Sequence, residues 1–211
     1  MQPTTGRAHH EIFQSRKSNR EVYRQFGGFF PFVLPVVSLL PACGNGGAAT
    51  TALYYVTLKM ARGQEGQLIP AFFHSFKQNL KQATALWVGY LAVGILLVLD
   101  LVICLQTSSV FAGAMFFTSV VLLACWALFI TMLFPLVARC DNTIGALFKM
   151  GIAMALRNVM PVLAALMVTV AFFAVGVFVF WPVLLVAPGL ASYCNAFLFN
   201  RIFDKYGMTL E

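Results

Sequence analysis

Apolar residues run in long blocks, and the blocks are separated by short basic stretches. Residues 83–106 carry a single acid, Asp100, near their far end, while residues 110–138 and 159–200 contain no Asp, Glu, Lys or Arg. A bilayer core of ~30 Å is crossed by ~20 apolar residues in a helix. The pattern therefore predicts spans over 83–106, 110–137, 162–181 and 184–199, the last two parted by Trp181-Pro182. Upstream, residues 25–43 are apolar but hold Pro31, Pro35 and Pro41, and Gly44-Asn45-Gly46-Gly47 reads as a turn before a shorter apolar stretch over 48–60. This opening pair is either two kinked spanning helices, the preferred reading, or a re-entrant hairpin buried against the rest of the protein.

Between the blocks the period changes. Ile69, Phe72, Phe73, Phe76 and Leu80 recur at helical spacing with His74, Lys77, Gln78 and Lys81 opposite them, which predicts an amphipathic helix in the membrane interface before the chain enters the bilayer at Ala83. A second such helix is predicted from Ile144, Leu147, Phe148, Gly151, Ile152, Ala155 and Leu156, with Lys149, Arg157 and Asn158 on its polar side. Asp141 or Asn142 is the expected cap, and Pro161 stands where the next crossing begins. The fold class read from this is all-α: a polytopic membrane helix bundle of about six membrane segments with two cytoplasmic interfacial amphipathic helices. Residues 1–24 form a polar cytoplasmic N-terminal tail, 25–206 the membrane domain and 207–211 a C-terminal tail.

Composition agrees with the pattern. Of the 211 residues 60% are hydrophobic and 10% charged, with a mean hydropathy of +0.83, too little charge to cover a soluble domain of this size. The net charge of +7 changes the picture only through its position. Lys and Arg cluster at 7–24, 59–81, 139–157 and 201–205, and loops rich in these residues stay in the cytoplasm. That places both termini of this cell-membrane protein in the cytoplasm and reads the charge as topology and lipid attraction, not nucleic-acid binding. The opening residues do not read as a cleavable signal peptide. Cys43, Cys104, Cys125, Cys140 and Cys194 form no CxxC pair and lie apart from His9, His10 and His74, so no metal or other cofactor is expected.

Candidate chemistry is sparse. No HExxH, Ser-His-Asp or paired-carboxylate arrangement is present, and there is no Walker A loop, so no enzyme is expected. Asp100 is the one acid inside the apolar blocks, where ionisable groups carry function unless they reach an interface. Tyr54 and Tyr55, beside Thr51 and Thr57 on a short helix, are further intramembrane polar candidates. The candidate partner-contact residues are Lys77, Lys81, Asn142, Lys149 and Arg157, on or beside the two amphipathic segments.

Several phrases are more specific than hydropathy. Residues 49–59 (ATTALYYVTLK) followed by Arg62-Gly63 and Glu65-Gly66, residues 72–84 (FFHSFKQNLKQAT), Asp141-Asn142-Thr143 and residues 198–203 (LFNRIF) resemble the YesL family of bacterial membrane proteins. The resemblance covers most of 25–206, with the proline-rich first span and the long glycine turn departing from it. It implies a setting beside oligosaccharide importers of the ABC class, hence a non-catalytic accessory or assembly subunit whose partners are permease subunits and membrane lipid. The alternative is a permease or independent carrier for a small solute. Residues 144–161 lack the Glu-Ala-Ala segment that sugar permeases dock on their ATPase.

Overall fold

The computed structural model describes residues 46–64, 67–107, 110–140, 142–179 and 181–208. These residues form six helices and no strands: α1 Gly46–Ala61, α2 Leu68–Gln106, α3 Val110–Val137, α4 Ile144–Arg157, α5 Val159–Phe178 and α6 Val183–Lys205. Among them α2, α3, α5 and α6 are long and apolar enough to cross a membrane. The expected N-terminal tail, the proline-rich segment 25–43 and the end of the C-terminal tail lie outside the described residues.

Helix α1 is largely apolar, opens with small residues, and is mostly buried. Ala48, Ala49, Ala52, Leu53, Val56 and Leu58 are all buried, as are Thr51 and Thr57. A helix apolar all round belongs inside a bundle. Its 16 residues span about 24 Å, shorter than the other apolar helices. Close approach is built in at Gly47, where a Cβ would stand 2.4 Å from the Ala83 carbonyl oxygen and 2.6 Å from Trp87 Cβ.

Where a separate interfacial helix is expected over residues 69–82, α2 instead runs unbroken from Leu68 through the following span. Nothing in between interrupts it. Pro70 falls in the first turn, where its missing N–H costs no helical bond, and no further proline follows before Gln106. The apolar face also differs from the expected one. Phe72, Ser75, Asn79, Ala83 and Leu86 make the buried stripe, whereas Ile69 and Phe73 are exposed. Part of that stripe closes on α1, since Phe72 shares a core cluster with Ala52, Leu53, Val56 and Met60. The second half of α2 pairs with α3: Tyr90 stacks on Trp126 at 4.2 Å, and Gly94 lets the Trp126 ring close in, since a Cβ there would meet it at 2.5 Å.

Helix α4 keeps its predicted boundaries closely, but Thr143, with extended backbone, is its N-cap residue in place of Asp141 or Asn142. Asp141 lies outside the described residues, and the Asn142 side chain points its amide at Met150 Sδ (3.9 Å). Gly151 of α4 rests on Phe129 and Leu133 of α3, with Leu147, Met154 and Ala155 buried alongside. Helices α5 and α6 form an antiparallel hairpin broken at Trp181-Pro182 as expected. Their contact is fixed by Gly176 against Leu184 and by Asn195 Nδ2 donating to Thr169 Oγ1 at 2.9 Å.

Candidate functional site at the basic end

Every described Lys and Arg lies at the C-terminal end of α1, α3, α4 or α6, on α4, or in the first half of α2. Three of those C-termini meet. Cations suit this place, because each helix end carries unsatisfied carbonyls and roughly half a negative charge. Helices α1 and α6 stop in the same way, with a glycine at positive φ (Gly63 at 67°, Gly207 at 69°). Behind each glycine the chain folds back: Gln64 N–H bonds Lys59 O, and Met208 N–H bonds Phe203 O. Only glycine adopts that conformation at little cost, so both turns are set by the residue type.

The two turns present Arg62 and the Met208 carbonyl to a clasp centred on Asn200. Arg62 Nε and Arg139 Nη1 both donate to Asn200 Oδ1, each at 3.0 Å, and Asn200 Nδ2 donates to Leu58 O at 3.0 Å. Arg62 also pairs with Asp204, and Arg139 donates to Met208 O and lies 3.8 Å from the Asp204 carboxylate. The Arg139 guanidinium covers the Phe203 ring at 5.0 Å. Its side chain is fully enclosed, and its Nε has no hydrogen-bond partner among the described residues. Burial and then the neighbouring Arg62 push the Arg139 guanidinium down to about 10, against the upward pull of Asp204 and Cys140. Two guanidinium groups thus share one carboxylate and one amide oxygen, leaving the clasp with a net positive charge. Close by, Asn158 Nδ2 donates to Tyr206 Oη at 3.0 Å, which ties the end of α4 to the end of α6.

A shallow, open groove of about 920 Å³ lies between the first half of α2 and the start of α4. Gln78, Lys81, Gln82, Asn142 and Thr143 are among its walls, and Gln82 donates to the Asn142 carbonyl across it. Of the sequence-predicted partner residues, the structure brings Lys81 and Asn142 together here. Lys77, Lys149 and Arg157 are exposed but do not line the groove.

A short match marks part of this architecture. Residues 29–101 match the family described as "Protein of unknown function, DUF624". The match takes in α1, Arg62 and α2 to Leu101, while Arg139, Asn200 and Asp204 fall beyond it. No curated protein and no solved structure matches the chain.

The intramembrane candidates have ordinary neighbours. Tyr54 is buried edge-on against Phe199 (5.8 Å), and Tyr55 receives the Lys59 ammonium over its ring at 4.6 Å. Asp100 accepts a hydrogen bond from the buried Ser119 hydroxyl of α3, a partner not foreseen from the sequence. Besides Arg139 Nε, two buried polar atoms, Thr51 Oγ1 and Asn195 Oδ1, have no hydrogen-bond partner among the described residues. Among the described residues no group of His, Cys, Asp and Glu could hold a metal. The clasp itself was missed in the sequence, because Arg62 lies 138 positions from Asn200 and 142 from Asp204. The usable signal was local: Arg62 precedes a helix-ending glycine, and Asn200 is an amide among apolar residues on α6.

Proposed function

We propose that the chain is a non-catalytic accessory or assembly subunit of a bacterial carbohydrate importer, acting through protein contacts made at its basic end. Its basic end faces the cytoplasm, both termini are inside, and six membrane segments cross or enter the bilayer, with α4 lying along the cytoplasmic interface. Support for the orientation comes from the grouping of all described Lys and Arg at one end of the helices. The observation that carries the contact reading is the groove beside Lys81 and Asn142, an open concavity with lysine and amide side chains among its walls, between α2 and the start of α4. The importer setting rests on the resemblance to the YesL family.

A second reading, an independent carrier, is favoured by the polar atoms of Thr51 and Asn195 that lie buried without partners, and by Asp100 with Ser119. One experiment separates the two. Tagged protein is recovered from its native host in mild detergent and its companions are identified by mass spectrometry. Stoichiometric permease subunits, reduced in the variant Lys77→Gln, Lys81→Gln, Asn142→Ala while the variant stays in the membrane fraction, are the expected result. Recovery of the chain alone refutes the accessory reading and turns attention to Asp100 and Tyr54.

A further inference from the structure

An apolar groove of about 400 Å³ separates the second half of α2 from α4. Val93 of α2, Leu122 and Trp126 of α3, Leu156 of α4 and Val159 of α5 are among its walls. Left empty, this half-open apolar groove would leave its lining atoms without dispersion partners on one side. Three of the four helices around it, α2, α3 and α5, are of membrane-crossing length, so the material at hand to fill it is an acyl chain. Along α3 the walls run from Leu122 to Phe129, about 10 Å, enough for roughly eight methylenes of a chain.

The charge at one edge of the groove selects the headgroup. On α4, Lys149, Ile152 and Leu156 follow at helical spacing of three and seven, so the Lys149 ammonium stands on the same stripe as two groove residues. Arg157 comes directly after Leu156 and two residues before Val159, both of which line the groove. Both side chains are exposed, and neither has an ion-pair partner among the described residues. The described carboxylates are engaged elsewhere: Asp204 by Arg62 and Asp100 by Ser119. Long basic side chains at such a site lay their stems on apolar surface and hold their charge at headgroup level.

We propose that this groove holds one acyl chain of an anionic phospholipid whose phosphate sits between Lys149 and Arg157. This is independent of the partner reading, since neither residue lines the groove of Lys81 and Asn142. Trp126 reports on it directly. The full chain carrying Trp181→Phe is placed in phosphatidylcholine nanodiscs containing either phosphatidylglycerol or phosphatidylcholine brominated at mid-chain. Trp126 quenching is then followed against the brominated fraction, with Trp87, packed on Gly46 and Gly47, as constant background. Each basic residue near a headgroup is worth roughly fivefold, so half-quenching should need about 30-fold less brominated phosphatidylglycerol than brominated phosphatidylcholine. Lys149→Gln or Arg157→Gln alone should lower that preference about fivefold, and the pair should remove it, while Lys77→Gln with Lys81→Gln leaves it unchanged. Equal quenching by the two lipids overturns the proposal. So does a preference that survives the Lys149→Gln, Arg157→Gln pair, or one lost equally with Lys77 and Lys81.

Discussion

Replacing Asn200 by alanine should be among the costliest single polar changes in this protein. The side chain makes three hydrogen bonds at 3.0 Å: two accepted from guanidinium groups and one donated to Leu58 O. Bonds to charged groups contribute about 1.5–3 kcal/mol each and a neutral one about 0.5–1.5. Arg62 is partly exposed and keeps Asp204, so its share falls to the low end. Arg139 is fully enclosed and keeps only the Met208 carbonyl at hydrogen-bond distance, so its share stays high. Together the loss is about 5 kcal/mol, or roughly 10–20 °C in Tm for a chain of this length. The assay is thermal unfolding in mild detergent followed by tryptophan fluorescence. Asn200→Asp supplies the test of cause, because it keeps an acceptor for both arginines and neutralises the excess charge while giving up the bond to Leu58. It should lose less than half as much as the alanine variant. A fall below about 3 °C for Asn200→Ala, or an equal fall for Asn200→Asp, would refute the account in which a shared acceptor holds the arginines.

Arg139 and the glycines of α1 and α2 give further outcomes. Arg139→Met removes an enclosed charge while Asn200 and Asp204 still serve Arg62, so its stability should stay near wild type. The Arg139 guanidinium is held at about 10, below its ordinary 12.5. A depressed base binds its proton less tightly in the folded state, so the cost is full below pH 10 and is relieved toward 12.5. The Tm difference between wild type and Arg139→Met should thus be flat from pH 6 to 9 and move in favour of wild type only above 10. Gly47→Ala should cost about 1–3 kcal/mol, because the new methyl meets the Ala83 carbonyl and pushes α1 off α2. The same change at Gly89, with nothing within 4 Å, should be neutral or slightly stabilising in the same melt.

Much of the helical layout was legible along the chain. The breaks between the later spans, the extent of α4 and the Trp181-Pro182 corner follow from runs without charge and from residues that cannot continue a helix. The joining of residues 68–106 into one helix was not legible, because a change from amphipathic to wholly apolar pattern marks a change of surroundings and says nothing about a bend. Nor could periodicity show that Ser75 and Asn79 belong to a buried stripe. Asn79 is tolerated there because its amide is satisfied locally by Ser75. At the candidate site, Lys81 and Asn142 were foreseen as contact residues, and the structure brings them to one groove. The clasp depends on pairings across more than half the chain, and single residues such as Asn200 carry no local sign of such a partner.

The continuity of α2 also has a mechanical side. Its 39 residues extend about 58 Å, nearly twice the thickness of a bilayer core. With no proline beyond the first turn to act as a joint, the half that packs on α1 and the half that packs on α3 move as one rod. A tilt of roughly 5° about one end would carry the other through about 5 Å. Lys81 and the groove it lines would swing with any rearrangement between α2 and α3 in the membrane, so the two ends of this protein are geared to each other by a single piece of backbone.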